Sequence, residues 1–252
     1  LGDTIEAIAE QKAGIIKQGV PLVTGSIAPE ALAVIDCIAE GKDAPRIAYG
    51  RDYQVRHQES VVTGEVFDYT SDVRKGCFQT GLLGLHQIEN AGMALALLDT
   101  YCQKTGRELA SNDLVAQALE ETRWPGRLEV LSSEPMMILD GAHNPHAMAR
   151  LIEFANSLAG KRVKVLFGAL KRKDYSGMLE ALQAGLPEAE LILTTFHYGE
   201  VVAQGDRQDL PYVADYKAYI QEFMDQSRSD EVLFVTGSLY FIAEVRAFLL
   251  EA

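Results

Sequence analysis

No stretch of this chain approaches the roughly 18 consecutive apolar residues that a membrane-spanning helix requires. Cysteine is scarce: Cys37, Cys77 and Cys102 are too few and too scattered for a disulfide framework or a zinc site. Positive charge is in deficit, with 23 Lys and Arg against 36 Asp and Glu, a net charge of −13. A surface of that sign repels phosphate backbones and anionic lipid, so neither nucleic acid nor a membrane is expected as partner. No G-x-G-x-x-G follows a strand, which leaves a dinucleotide site of the NAD type without support. No G-x-x-x-x-G-K-[ST] occurs either, so the chain carries no phosphate-cradling loop of its own. No basic, apolar leader pattern opens the chain. These deficits predict a soluble, cytoplasmic protein of a reducing compartment; a monomer is expected, though no deficit bears on it.

What remains is ordinary globular material. The 252 residues are 48% hydrophobic and 23% charged, enough for two packed domains. The opening Leu1-Gly2-Asp3-Thr4-Ile5 reads as the interior of a domain, with Thr4 placed to cap a helix over residues 5–13. A strand over 19–25, a helix over 29–40 and a strand over 46–50 form a strand–helix–strand unit with a parallel pair. Alternation in Tyr53–His57 and Glu65–Tyr69, around a Thr63-Gly64 turn, predicts an antiparallel hairpin. Helices are expected over 88–103 and 111–121. Trp124-Pro125-Gly126-Arg127 then breaks the pattern, and the domain boundary is placed there, between residues 125 and 126. Beyond it, strands over 136–139, 163–167, 191–195 and 232–235 alternate with helices over 145–158, 175–184, 216–226 and 239–251. That alternation predicts a mostly parallel, doubly wound α/β sheet.

Three strand-to-helix turns carry chemistry-bearing residues. In Leu139-Asp140-Gly141-Ala142-His143-Asn144-Pro145, the Asp140 carboxylate suits a ribose hydroxyl or an ammonium, and His143 suits an anion or a proton transfer. The same residues also serve as a polar turn that only shapes the loop. In Thr236-Gly237-Ser238-Leu239, free backbone N–H groups and the Ser238 hydroxyl suit a carboxylate or phosphate; an ordinary helix cap has the same appearance. The turn containing Lys171, Arg172 and Lys173 puts local positive charge at a third strand end, expected to form a cationic cleft with Arg127 and His143. Arg127 beside the boundary has the reach for a phosphate, or is a solvated surface arginine. Lys12, on a small and mostly apolar segment, is expected to be partly buried. In Gly84-Leu85-His86-Gln87-Ile88-Glu89-Asn90, the Asn90 amide suits an adenine edge, while His86 and Gln87 serve equally as helix caps.

Taken in order, six stretches carry a resemblance. They are Leu1-Gly-Asp-Thr-Ile-Glu-Ala-Ile-Ala, Lys12-Ala-Gly-Ile-Ile-Lys, Gly84-Leu-His-Gln-Ile-Glu-Asn-Ala, Trp124-Pro-Gly-Arg, Asp140-Gly-Ala-His-Asn-Pro and Thr236-Gly-Ser-Leu-Tyr-Phe. The whole chain resembles the folylpolyglutamate synthase / dihydrofolate synthase family of the Mur ligase superfamily. The resemblance implies the remainder of a P-loop-type ATP-binding domain over 1–125 and a Rossmann-like glutamate-binding domain over 126–252. It implies an ATP-dependent ligation: the carboxylate of folate or dihydropteroate becomes an acyl phosphate, and the amine of L-glutamate displaces the phosphate to form an amide. ATP and Mg2+ are the implied cofactors.

Residue by residue, the resemblance assigns Lys12 as the lysine carbamylated near the magnesium site and Asn90 as the amide facing adenine. It assigns Arg127 to the nucleotide phosphates, Asp140 to the nucleotide, and His143 and Ser238 to the incoming glutamate, with Lys12 and His143 counted as catalytic. Gln11 departs from the usual Glu of that stretch. The family's P-loop and its direct magnesium ligands would lie upstream of residue 1, so the chain reads as N-terminally truncated and inactive on its own. A non-catalytic module that keeps the glutamate-facing cleft, and a peptidoglycan Mur ligase, are the rival readings.

Overall fold

The hydrophobic pattern of the C-terminal half dictates its layering. β6 (Glu129–Ser133), β7 (Met136–Leu139), β8 (Arg162–Phe167), β9 (Glu190–Thr194), β10 (Tyr212–Val213) and β11 (Glu231–Thr236) form one sheet in the order β10-β9-β8-β11-β7-β6. All pairings are parallel except β6 with β7 at one edge. Every residue of the central strand β11 is buried. Successive side chains of a strand point to opposite faces. Ile138, Val165, Phe167, Val232 and Phe234 accordingly pack on one face, against Met148 and Leu151 of α5 (Pro145–Ser157) and Met178 and Leu182 of α6 (Tyr175–Gly185). Met137, Leu139, Leu166, Leu233 and Val235 pack on the other, against Ile220 and Phe223 of α7 (Tyr216–Gln226) and Phe241 and Val245 of α8 (Leu239–Leu250). The result is a mostly parallel sheet covered by helices on both faces, the arrangement that continuous apolar strands require.

The computed structural model describes Gly2, residues 4–61 and residues 63–250. Residues 82–84 and 123–252 form one compact unit, and residues 1–81 with 85–122 form another. In the latter, Thr4 Oγ1 accepts from the Ala7 amide at 3.1 Å and starts α1 (Ile5–Ala13), as its sequence position predicts. β1 (Leu22–Thr24) and β2 (Arg46–Ala48) pair in parallel around α2 (Pro29–Gly41), shorter strands than the apolar run suggests.

β3 (Tyr53–Val61) and β4 (Gly64–Ser71) form the expected antiparallel hairpin, and β5 (Lys75–Thr80) extends it to three strands. The long helix α3 (His86–Thr105) lies on this sheet, with Ile88, Ala91 and Leu95 packed among Tyr53, Phe67, Tyr69 and Phe78. Gly92 permits that approach: a Cβ there would lie 2.3 Å from a methyl carbon of Val55. Beneath α3, the guanidinium of Arg74 donates to the carboxylate of Asp99 at 2.7 Å and to Asn112, the first residue of α4 (Asn112–Glu121), at 2.8 Å. Arg74 and Asp99 are both buried, so each neutralises a charge the other could not leave unpaired. Among the described residues, no helix is long and apolar enough to cross a membrane.

Candidate functional site

The candidate site of the C-terminal unit is built from turns at the carboxyl edge of its sheet, where open α/β sheets bind ligands. These turns are tied together through their backbones. The Asp140 amide donates to Val235 O at 3.0 Å, and the Gly237 amide donates to Ala142 O at 3.2 Å. The Gly168 amide, at the end of β8, donates to Thr236 O at 3.0 Å. Glycine is required for that proximity. Gly237 has φ +109°, and a Cβ there would meet the carbonyl oxygen of Gly168 at 2.7 Å.

Asp140 is the brace of the site. One carboxylate oxygen accepts from the Leu128 amide and the other from the Ala142 amide, each at 2.9 Å. Leu128 has φ +45°, an uncommon conformation for a branched side chain, and the bond from Asp140 holds it there. The Gly141 amide adds a bond to Gly126 O at 2.8 Å, and the Glu129 carboxylate accepts from the Gly126 amide at 2.8 Å. Together they clamp the Trp124–Leu128 turn against the sheet edge. Burial pushes the Asp140 carboxyl up; the two backbone donors, Arg127 and His143 pull the other way without cancelling it.

The other turn residues divide by role. Asn144 caps α5, its side-chain oxygen accepting from the Ala147 amide at 2.9 Å, and Pro145 occupies the first helical position. His143 is half-buried, with Nδ1 2.8 Å from Gly141 O. A carbonyl only accepts, so Nδ1 carries the proton and Nε2 of the neutral ring is an acceptor. Ser238 is 4% exposed and stands immediately before α8; its Oγ accepts from the Tyr240 amide at 3.3 Å. That bond occupies a lone pair and leaves the hydroxyl proton to donate.

Arg127 is exposed at the same edge. The cationic cleft is weaker than its sequence suggests, because Lys171 is committed to Asp206 at 2.9 Å. Sequence reasoning overlooked one feature of this edge. Tyr198, from the loop after β9, stacks on Tyr240 in the first turn of α8, with ring centroids 3.7 Å apart. The position of Tyr240, two residues beyond Ser238, was the only available signal.

In the N-terminal unit, Lys12 sits in the last turn of α1 and is exposed, which corrects the expectation of partial burial. The short helix buries only Ala9 and Ala13, and Lys12 lies off that face. Asn90 is exposed on the first turns of α3, its Nδ2 donating to Gln87 Oε1 at 3.0 Å; Gln87 in turn lies 3.1 Å from the His86 ring. His86 and Gln87 therefore brace Asn90. No side chain caps the start of α3, at Leu85. Among the described residues, no group of three or more His, Cys, Asp or Glu side chains is placed to hold a metal ion.

Residues 126–239 match the family model described as Mur ligase, glutamate ligase domain. The dihydrofolate synthase/folylpolyglutamate synthase of Bacillus subtilis strain 168 is 33% identical over 260 residues, covering 98% of this chain and 58% of the relative. The folylpolyglutamate synthase structure from Thermotoga maritima superposes with a TM-score of 0.84 at 30% identity, covering 98% of this chain and 58% of that one. A structure described as an FPGS-AMPPCP-folate complex superposes with a TM-score of 0.81 at 31% identity, covering 99% of this chain and 58% of that one. The chain thus spans about three fifths of the length of the relatives it matches. On its sequence and its fold the chain is similar over nearly its whole length to folylpolyglutamate and dihydrofolate synthases, and residues 126–239 match the Mur ligase, glutamate ligase domain.

Proposed function

We propose that this chain serves the ATP-dependent ligation of L-glutamate to the carboxylate of folate or dihydropteroate. The observation that carries the reading is the joining of two strand-end turns through Gly237 and Ala142, one residue before Ser238 and His143 respectively. Glutamate is small and doubly acidic, and it needs a few well-aimed polar groups rather than a large apolar pocket. In this reading the Ser238 hydroxyl and the N–H groups at the start of α8 bind a glutamate carboxylate. His143, with Nε2 as acceptor, takes up a proton from the attacking amine or orients it. ATP supplies the phosphoryl group that makes the acceptor carboxylate an acyl phosphate, whose phosphate then leaves as the amide forms.

The other assignments follow the same reading. Asn90, exposed and braced by Gln87, offers an amide to adenine. Arg127, exposed on a clamped turn, offers its guanidinium to nucleotide phosphates, and Asp140 contributes to the nucleotide contact chiefly by fixing that turn. Residues 1–125 belong to the ATP-binding part and 126–252 to the glutamate-binding part. Lys12 is the lysine for carbamylation, and its exposed amine is open to carbon dioxide. The described residues contain no group of three or more His, Cys, Asp or Glu side chains placed to hold a magnesium ion. Relatives named for folate chemistry support this reading over a peptidoglycan ligase.

The test is incorporation of labelled L-glutamate with ATP and either acceptor, by this chain and by the longest reading frame containing it. Products heavier by one glutamyl residue are expected from the longer protein. Incorporation by neither protein overturns the proposal.

A further inference from the structure

Both peptide groups that flank Arg127 are fixed by hydrogen bonds. The turn Trp124-Pro125-Gly126-Arg127 closes with the Arg127 amide donating to Trp124 O at 3.2 Å, and Gly126, with φ +71°, follows Pro125 at its centre. Gly126 O accepts from the Gly141 amide at 2.8 Å, so the peptide before Arg127 is held at both its oxygen and its nitrogen. Asp140 holds the peptide after it, through the Leu128 amide at 2.9 Å. The backbone of Arg127 is thereby set on both sides, and its exposed side chain is what remains free to move.

A further anchor comes from α8. Glu129 Oε2 accepts from the Gly126 amide at 2.8 Å, and the same carboxylate accepts from Nε of Arg246, at 2.9 and 3.2 Å to its two oxygens. The Glu129 side chain is only 18% exposed, so its charge is costly to leave unpaired. Arg246 shares one face of α8 with Leu239 and Ile242, at spacings of three and four residues. That face packs on the same turn. A Cβ on Gly126 would lie 2.5 Å from Ile242 Cδ1, and one on Gly141 would lie 2.5 Å from Leu239 Cδ2. Ser238 stands immediately before this helix. One helix therefore carries a hydroxyl assigned to glutamate at its start and, about two turns on, the charge that holds the turn of Arg127.

We infer that Arg246 is a positioning residue: through the Glu129 carboxylate and the Gly126 amide it holds Arg127 in the orientation that meets the nucleotide phosphates. The inference rests on the proposed role of Arg127 and adds to it a residue that touches no substrate. Setting the backbone of Arg127 in advance lowers the cost of binding, because only its side chain must still be ordered. Without Arg246 the mostly buried Glu129 carboxylate loses its counter-charge, turns toward water and releases the Gly126 amide.

The experiment is steady-state kinetics of the protein that incorporates glutamate, with ATP and glutamate varied separately, for Arg127→Ala, Arg246→Met, Arg246→Lys and the double variant Arg127→Ala/Arg246→Met. Arg246→Met keeps an apolar stem on α8 and removes the charge. It should raise the ATP KM about three- to tenfold, within the range for residues coupled in one hydrogen-bond network, and leave the glutamate KM unchanged. Arg246→Lys keeps a cation and should recover part of the loss. In the double variant the change at Arg246 should add nothing to the ATP KM, because the residue it positions is gone. A general loosening of α8 would instead raise the glutamate KM through Ser238 and add to the effect of Arg127→Ala; either result overturns the inference. The reading of Arg127 fails separately. If no protein incorporates glutamate, or Arg127→Ala leaves the ATP KM unchanged, that reading falls and the inference with it. If Arg127→Ala raises the ATP KM and Arg246→Met does not, only the role of Arg246 falls.

Discussion

The carboxylate of Asp140 accepts the backbone amide of Leu128 at 2.9 Å and so holds a leucine at φ +45°. Left-handed backbone costs an L-residue roughly 1–2 kcal/mol. Leu128 is buried, so its strained turn is retained by packing as well as by this bond. Asp140→Ala should therefore destabilise the C-terminal unit by about 2–3 kcal/mol, since two buried amides lose their acceptor. Urea unfolding monitored at Trp124 measures it. A loss under 0.5 kcal/mol, about the scatter of neutral surface changes, would show that the turn needs no brace.

The same carboxyl gives a pH signature. Its folded pKa lies above the ordinary carboxylate value of 3.8, so the folded state binds the proton more tightly than the unfolded chain. Stability from this group is therefore present below the unfolded value and is lost as pH rises through the folded one. The advantage of wild type over Asp140→Asn should shrink as pH rises from below 3.8 toward neutrality. An advantage that grows over that range would contradict the direction of the shift.

Glycines at the sheet edge should tolerate a methyl group unequally. A Cβ on Gly237 would meet the backbone carbonyl of Gly168 at 2.7 Å, with φ already at +109°. A Cβ on Gly141 would meet the end of the Leu239 side chain at 2.5 Å, and that side chain is exposed enough to swing away. Gly237→Ala should cost about 2–4 kcal/mol and Gly141→Ala under about 1 kcal/mol. Thermal denaturation of the two variants ranks them; equal losses would mean that the β8 and β11 turns separate easily.

In the ion pair beneath α3, Asp99→Asn leaves the Arg74 guanidinium buried without a counter-charge. Removing one partner of such a pair costs about 3–5 kcal/mol. The N-terminal unit should unfold first in this variant, read by hydrogen exchange of α3 amides. In wild type, the amides of β11, buried along its whole length, should exchange more slowly than those of the two-stranded β1–β2 sheet.

For the ligase reaction, His143→Ala and Ser238→Ala in the longer protein should raise the glutamate KM about ten- to a hundredfold. That is the loss of one or two charge-assisted hydrogen bonds. The ATP KM should change little, because these groups are assigned to the amino acid. Steady-state kinetics with each substrate varied separately decides it: a raised ATP KM beside an unchanged glutamate KM removes the assignment.

Most of the C-terminal architecture was legible in the residues. Met136–Leu139 and Tyr216–Gln226 fall where apolar runs and helical spacing put them, because strand and helix periodicity are local properties of the chain. Thr4 caps the helix it precedes for the same reason: a cap and its amide lie within three residues. The edge strands β6 and β10 carry no such signal, being short and half-buried; only their partners make them strands.

The sequence by itself determined the motif turns at the strand ends and the family they resemble. Only the tertiary structure decided what each residue in those turns does. Asp140 appears in sequence as a ligand-facing acid, but its two oxygens meet amides 12 residues back and two residues ahead. Lys12 appears half-buried, but α1 turns it outward. Lys171 and Arg172 are equal neighbours in sequence, yet Asp206, 35 residues further on, pairs with the first. Periodicity is set by neighbours along the chain, whereas charge pairing and aromatic stacking are set by groups that meet only when distant strands align.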